Sequence, residues 1–240
     1  MKKSTVSALT LITIVTAAIA VTAVPAKAGV IDLTFEGLAP YPQTAVTIGS
    51  FYNGGLDGAG VTGPSDGITF PSNALMLALN TLTQFPSNTS RGGLGDPGSQ
   101  LGGLFFLEGS GTFLDDAAGF TTGFSFNYSA IILTGSIQVY SGLDGAGTLL
   151  ATLTLPTTTS NCPGYSAGFC PFVSAGVTFA GTAESINFGG VADEIVFDDV
   201  TFGSSTPGPD PGGTPEPASL ILLGSGLLGL GVLGRRRLTR

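Results

Sequence analysis

The chain has 240 residues, with 8 Lys and Arg against 16 Asp and Glu, no His and no Trp, and a formal net charge of −8. From Gly29 to Thr214 there are 15 acidic residues and one basic residue, Arg91, so this span carries 1 − 15 = −14. Such a surface disfavours nucleic acid, whose binding needs phosphate neutralisation, and anionic lipid. It suits cations and neutral partners, and it also serves solubility outside a cell. Without His, a Ser-His-Asp triad and a His-based metal centre are impossible. Acid–base chemistry would fall to carboxylates or Tyr. A glycosidase needs two carboxylates about 5–10 Å apart across a cleft. Asp115 and Asp116 are adjacent, so a strand would point them to opposite faces. The composition therefore speaks against an enzyme.

The N-terminus carries Lys2 and Lys3, then an apolar run from Val6 to Val24, then Ala26-Lys27-Ala28. This order predicts a signal helix in a secretory signal peptide over 1–28, removed by signal peptidase after Ala28. Residues 206–214, rich in Pro and Gly, read as a linker. Between them, 29–205 spans 177 residues, enough for one domain with its own core.

Short alternating apolar runs separated by turn residues mark this domain as all-β. Strands are expected at 30–36, with Ile31, Leu33 and Phe35 on one face, then at 68–70 and 104–107. The segment 74–80 fits a helical turn or a buried strand and is taken as a strand. A single strand is expected over 119–129, where Phe120, Phe124, Phe126 and Tyr128 fall at even spacing. Further strands follow at 136–140, 148–155, 172–179, 184–188 and 194–202. About ten strands without crossover helices suggest a two-sheet antiparallel sandwich, a jelly roll.

The hexapeptide GLDGAG occurs at 55–60 and again at 142–147. The second copy lies between two strands and reads as a hairpin turn, with Asp-Gly supplying the reversal. The first lies in a loop. Asp57 and Asp144 lack the further acidic positions of an EF-hand loop. Cys162 and Cys170, eight apart around Pro and Gly in an exported chain, read as one disulfide closing a small loop. Free thiols are the alternative.

The first strand ends in Phe35-Glu36-Gly37, and the last contains Phe197-Asp198-Asp199-Val200-Thr201-Phe202. First and last strands of a sandwich often lie side by side. A carboxylate from each, with backbone carbonyls, would then hold Ca²⁺, which takes 6–8 oxygen ligands. Simple alternation puts Asp198 with Val196, Val200 and Phe202, and Asp199 with Phe197 and Thr201. A carboxylate on an apolar face is costly unless paired or metal-bound, which favours Asp198. These two motifs resemble the ends of jelly-roll carbohydrate-binding modules. The resemblance implies a structural Ca²⁺ held by Glu36 and Asp198, and it raises polysaccharide as a partner. Lacking Trp, such a module would stack sugars on Tyr41, Tyr52, Tyr128, Tyr140 or Tyr165.

The chain closes with Pro215-Glu216-Pro217, an uncharged apolar run of 17 residues over 218–234, and Arg235-Arg236-Arg237. As a helix the run would span roughly 25 Å at about 1.5 Å per residue. That is a short but workable transmembrane helix for a hydrocarbon core about 30 Å thick. The arginines would stay on the cytoplasmic side. The segment 215–240 resembles the PEP-CTERM sorting tail of Gram-negative bacteria. That resemblance implies recognition by an exosortase, tethering to the inner membrane before processing, and delivery to the cell surface or extracellular matrix near exopolysaccharide. Two functions remain open for the domain: a structural surface or matrix protein, and a polysaccharide-binding module.

Overall fold

The computed structural model describes residues 30–38, 45–80, 93, 95–96, 101–158 and 168–208. The expected signal helix at 1–28, the transmembrane helix at 218–234 and most of the linker lie outside these residues. Among the described residues, no helix is long and apolar enough to cross a membrane.

The described chain is all-β, as the alternating runs imply. Its strands are β1 (Ile31–Leu33), β2 (Val46–Thr47), β3 (Ile68–Thr69), β4 (Leu75–Ala78), β5 (Gly102–Phe105), β6 (Gly111–Phe120), β7 (Gly123–Ala130), β8 (Gly135–Tyr140), β9 (Leu149–Leu155), β10 (Val173–Thr178), β11 (Ala183–Gly189) and β12 (Ile195–Phe202). A single 3₁₀ turn spans Leu143–Gly145. The strands form two antiparallel sheets. One runs β10-β7-β12-β5-β4-β2, with β1 also paired to β12; the other runs β3-β6-β11-β8-β9. From β5 onward the chain places its strands in the orders 5-12-7-10 and 6-11-8-9, which is the jelly-roll pattern.

The two sheets meet over an aromatic core. Phe197 of β12 and Phe188 of β11 approach edge to face, with ring centroids 4.9 Å apart. Phe120 and Phe202 do the same at 4.8 Å. Edge-to-face packing sets the positive rim of one ring against the negative face of the other.

Two expectations are corrected, and one strand was not foreseen. The run 119–129 is not one strand. It is the end of β6 and most of β7, reversed at Thr121–Thr122, where Thr122 takes φ +80°. The sequence also hides most of β6, because its fifth and sixth residues are Asp115 and Asp116. They do point to opposite faces, Asp116 buried inward and Asp115 half-exposed outward. Finally, β1 stops at Leu33, since Phe35 adopts φ +54° and turns the chain. The Tyr52 hydroxyl accepts the Phe35 backbone N–H there, at 2.9 Å.

The outward side of the seven-stranded sheet carries a second, smaller core. Leu77, Leu79, Phe105 and Val196 point away from the inter-sheet core and pack with Phe169. Phe169 reaches them from the segment after β9 and bridges to Gly93. Thr158 of the same connection donates its hydroxyl to the Ala130 carbonyl at 3.2 Å. The sheet is therefore covered on both faces along β4, β5 and β12, where every residue of β12 is buried, while its edge strand β10 stays partly exposed.

Candidate functional site

The first and last strands do lie side by side: Ile31, Asp32 and Leu33 pair with Phe202, Thr201 and Val200. On its other edge β12 pairs with β7, and there the register slips. Asp198 faces Asn127, but the next pair is Thr201 with Ser125. One extra residue is thus accommodated in β12, a β-bulge. Asp199 sits at the bulge with φ +47°. Among non-glycine residues, Asp tolerates this left-handed region comparatively well.

The bulge overturns simple alternation. Val200 and Phe202 join Phe197 in the inter-sheet core, whereas Val196 belongs to the outer cluster. Asp198 therefore shares its side with Val196 and not with Val200 or Phe202. Its burial is complete all the same. Its Oδ1 accepts the Asp199 N–H at 2.8 Å. Its Oδ2 is buried with no hydrogen-bond partner.

Several carboxylates gather around it. Burial, and then the charge of Asp199, push the Asp198 carboxyl well above the ordinary range, with Asp96 and Glu36 adding to the repulsion. Burial, then Asp96 and Asp32, raise Asp199 to about 6. The Asn127 amide opposes this by donating to Asp199 Oδ2 at 3.0 Å. Asp32 is raised by burial, while the Thr201 hydroxyl, donating to its Oδ1 at 3.2 Å, pulls the other way. Glu36 Oε1 accepts the Leu101 N–H at 2.6 Å. It also borders a pocket of about 320 Å³ lined by Phe35, Leu38, Met76 and Leu101.

None of the described residues is Lys, Arg or His. No three carboxylates among them converge as a ready metal cage. Glu36 and Asp198 were both legible as candidates. Asp199 is the alternative the sequence weighs and sets aside, and Asp32 and Asp96 are not singled out, although Asp32 is paired opposite Thr201 by the β1–β12 ladder.

The other candidates divide by location. Tyr52 and Tyr128 are core residues; the Tyr128 hydroxyl donates to the Pro156 carbonyl at 3.1 Å. Tyr140 is half-buried on the outer side of β8. Tyr41, Tyr165 and Cys162 lie outside the described residues, as do Pro215, Glu216, Pro217, Arg235, Arg236 and Arg237. Cys170 is buried. In the first GLDGAG copy Asp57 Oδ1 accepts the N–H groups of Ala59 and Val61, and the Gly58 N–H donates to the Thr47 carbonyl at 2.9 Å. The second is the β8–β9 connection, as expected. Its Asp144 N–H donates to Asp115 Oδ1 at 2.8 Å.

Among solved structures, the chain is similar to a carbohydrate-binding module of Cellvibrio mixtus lichenase 5A in complex with cellotriose. The identity is 14% over 53% of this chain and 93% of the other, with a TM-score of 0.33. It is also similar to the C-terminal family 6 module of a marine laminarinase from Zobellia galactanivorans, at 12% identity over 54% and 98%, with a TM-score of 0.29. A family 43 arabinoxylan arabinofuranohydrolase from Bacillus subtilis matches at 19% identity over 56% of this chain and 25% of that one, with a TM-score of 0.33. No curated protein matches the chain. Residues 214–237 match the family model described as the PEP-CTERM protein-sorting motif, a signal that implies export to the cell surface with processing by an exosortase.

Proposed function

We propose that this is a non-enzymatic surface or matrix protein, linked to exopolysaccharide or biofilm, whose sandwich is held rigid by a structural Ca²⁺ between Glu36 and Asp198. In this reading signal peptidase removes 1–28 and the helix at 218–234 tethers the protein to the inner membrane. An exosortase then acts at Pro215-Glu216-Pro217, with Arg235, Arg236 and Arg237 as the cytoplasmic stop. A Cys162–Cys170 disulfide belongs to the same proposal and would contribute about 2–3 kcal/mol by the chain-entropy estimate.

The observation that carries the calcium reading is the Asp198 carboxylate, which is fully buried with Oδ2 unpartnered and neighbouring carboxylates around it. A buried carboxylate either takes up a proton or finds a positive partner. The described residues supply no cationic side chain, so an ion from outside fits the role. Bound there, Ca²⁺ would neutralise Glu36 and Asp198 and pin the turn after β1 to β12.

Thermal unfolding of the full chain in detergent, with Ca²⁺ and with chelator, tests this. Calcium is expected to raise the melting temperature in the wild type but not in Asp198→Asn or Glu36→Gln; equal melting temperatures under both conditions would sink it. Replacing Pro215, Glu216 and Pro217 by Ala should hold the protein in the inner-membrane fraction. Normal release of that variant would reject the sorting step.

The second reading is a polysaccharide-binding module. It is favoured by the outer face of the five-stranded sheet, which the described chain leaves open.

A further inference from the structure

The outward residues of the five-stranded sheet form three rows across its strands. The middle row is Phe113, Asn187, Gln138 and Thr152, on β6, β11, β8 and β9. Beside it runs Gly111, Gly189, Ser136 and Thr154. On the other side, Asp115, Ser185 and Tyr140 lie next to the GLDGAG turn. There Gly145 and Asp144 donate backbone N–H groups to Ser185 Oγ at 3.0 Å and Asp115 Oδ1 at 2.8 Å.

The row of Gly111, Gly189 and Ser136 is a shallow floor. A Cβ at Gly111 would lie 2.5 Å from Asn187 Oδ1, and one at Gly189 would lie 2.7 Å from Ser136 Oγ. Only glycine leaves these neighbours in place. The wall beside the floor consists of amides and hydroxyls. Asn187 Nδ2 donates to Gln138 Oε1 at 3.3 Å, while Asn187 Oδ1 is sunk into the surface without a partner. Thr152 and Thr154 are exposed. Phe113 and Tyr140, both half-buried, lie beside the amide pair on the side of the GLDGAG turn, where both rings approach Gly145.

We infer that this face is a docking surface for a neutral, hydroxyl-rich polysaccharide chain, with Asn187 and Gln138 as its central hydrogen-bonding pair. The inference rests on the polysaccharide-binding reading and gives it a location. Charge selects the occupant. In a span of net charge −14, the three rows contain one carboxylate, Asp115, and it is already engaged by the Asp144 N–H. A polyanion meets no cationic side chain here, and a polycation finds its carboxylates elsewhere. A second copy of the chain would need apolar area at the centre of the face, where glycine, Ser136 and the amides stand instead. Sugar hydroxyls both donate and accept, and so match the Asn187–Gln138 amides and the exposed hydroxyls of Thr152 and Thr154 beside them. The aromatic margins suit the apolar side of a sugar ring.

The test is affinity electrophoresis of the full chain in detergent against hydroxyethylcellulose, xylan and mannan, with the polyanion alginate as control. At least one neutral polymer should retard the wild type saturably. The double variant Asn187→Ala/Gln138→Ala should weaken that binding by about tenfold or more, as expected for losing paired polar contacts in a site. Thr152→Glu, at an exposed position that tolerates substitution, should weaken it as well. If a neutral polymer binds and both variants retain it within twofold, with unchanged melting temperatures, this location is wrong and the polysaccharide reading survives. If no neutral polymer binds, both fall. Preferential retardation by alginate overturns the neutral occupant.

Discussion

Along β4, β5 and β12 the seven-stranded sheet is covered on both faces, whereas among the described residues the outer face of the five-stranded sheet carries only the GLDGAG turn. In the covered sheet β12 is buried at all eight positions, polar residues included. In the open sheet β8 alternates strictly between buried and half-buried. Polar groups follow opposite rules in the two places. In the covered sheet a carboxylate such as Asp198 is deprived of water and must be satisfied from within or by an ion. On the open face, amides and hydroxyls remain available to a ligand. On the proposed readings the acidic cluster serves stability and the open face recognition.

The sharpest way to break this division is to remove equivalent aromatic bulk from each side. Phe197 is fully buried and touches both Phe188 and Phe126. Phe197→Ala should cost about 3–5 kcal/mol, the usual range for a buried phenylalanine. Phe113 lies half-buried on the open face. Phe113→Ala should cost about 1 kcal/mol or less, as for a surface position with one side in water. Urea unfolding of both variants measures the difference, and equal costs would mean that the open face is covered in solution.

The next effect is calcium. At 100-fold excess over its dissociation constant, a bound ion stabilises by about 2.7 kcal/mol. For a domain of this size that is a shift of roughly 5–10 °C. Without calcium the cluster should make the protein less stable as pH rises. Asp199 has a folded pKa raised from 3.8 to about 6. Between those values the native state holds more protons than the unfolded chain, so its stability contribution is complete below pH 3.8 and disappears as pH rises through about 6. Calcium should flatten that slope. A melting temperature that climbs across the same window in chelator would contradict the repulsion assigned to the cluster.

A smaller effect is expected at the turn over the open face. Gly145 has φ +73°, and a Cβ there would lie 2.7 Å from the Phe113 ring. Gly145→Ala should cost about 1–2 kcal/mol, through backbone strain and the displaced ring together. Chemical denaturation of this variant reports how firmly the turn is seated. A neutral substitution would mean that the turn lifts from the sheet.

Much of this division was legible in the residues, and the exceptions have physical causes. The strands β7 and β8 announce themselves because their inward positions are Phe, Tyr, Ile and Val at period two, and β12 because it is a short, mostly apolar run. Most of β6 was hidden because polar Thr112 and Asp116 occupy inward positions on either side of Leu114, leaving no apolar alternation to read. Glu36 and Asp198 could be picked out because first and last strands tend to pair. The bulge could not, since it is carried by Asp199 and not by a glycine that would mark a left-handed residue. The outer covering of β12 was also invisible: Phe169 lies in a Gly- and Pro-rich stretch that reads as loop, yet it completes a core with Leu77 and Val196. The open face emerged only once strand order set Asn187 beside Gln138, because the two are far apart in sequence.

The smallest expected effect separates the two acidic groupings. Asp115 is raised by burial first; the Asp144 N–H lowers it, and the Asp144 charge raises it again. Its sign is therefore that of Asp199: its stability contribution is present below the ordinary Asp range and is lost as pH rises through the folded value. Unlike Asp198, it sits half-exposed at the margin of the open face, where water screens the repulsion. Asp115→Asn keeps an oxygen to accept the Asp144 N–H but removes the charge. It should leave the melting temperature at pH 4 unchanged and raise it at pH 7 by about a degree or less. Calcium should not alter that difference, because Asp115 lies outside the carboxylate group around Asp198. A calcium-dependent shift in Asp115→Asn would show that the two groupings are electrostatically joined, and the assignment of stability to one sheet and recognition to the other would then fail.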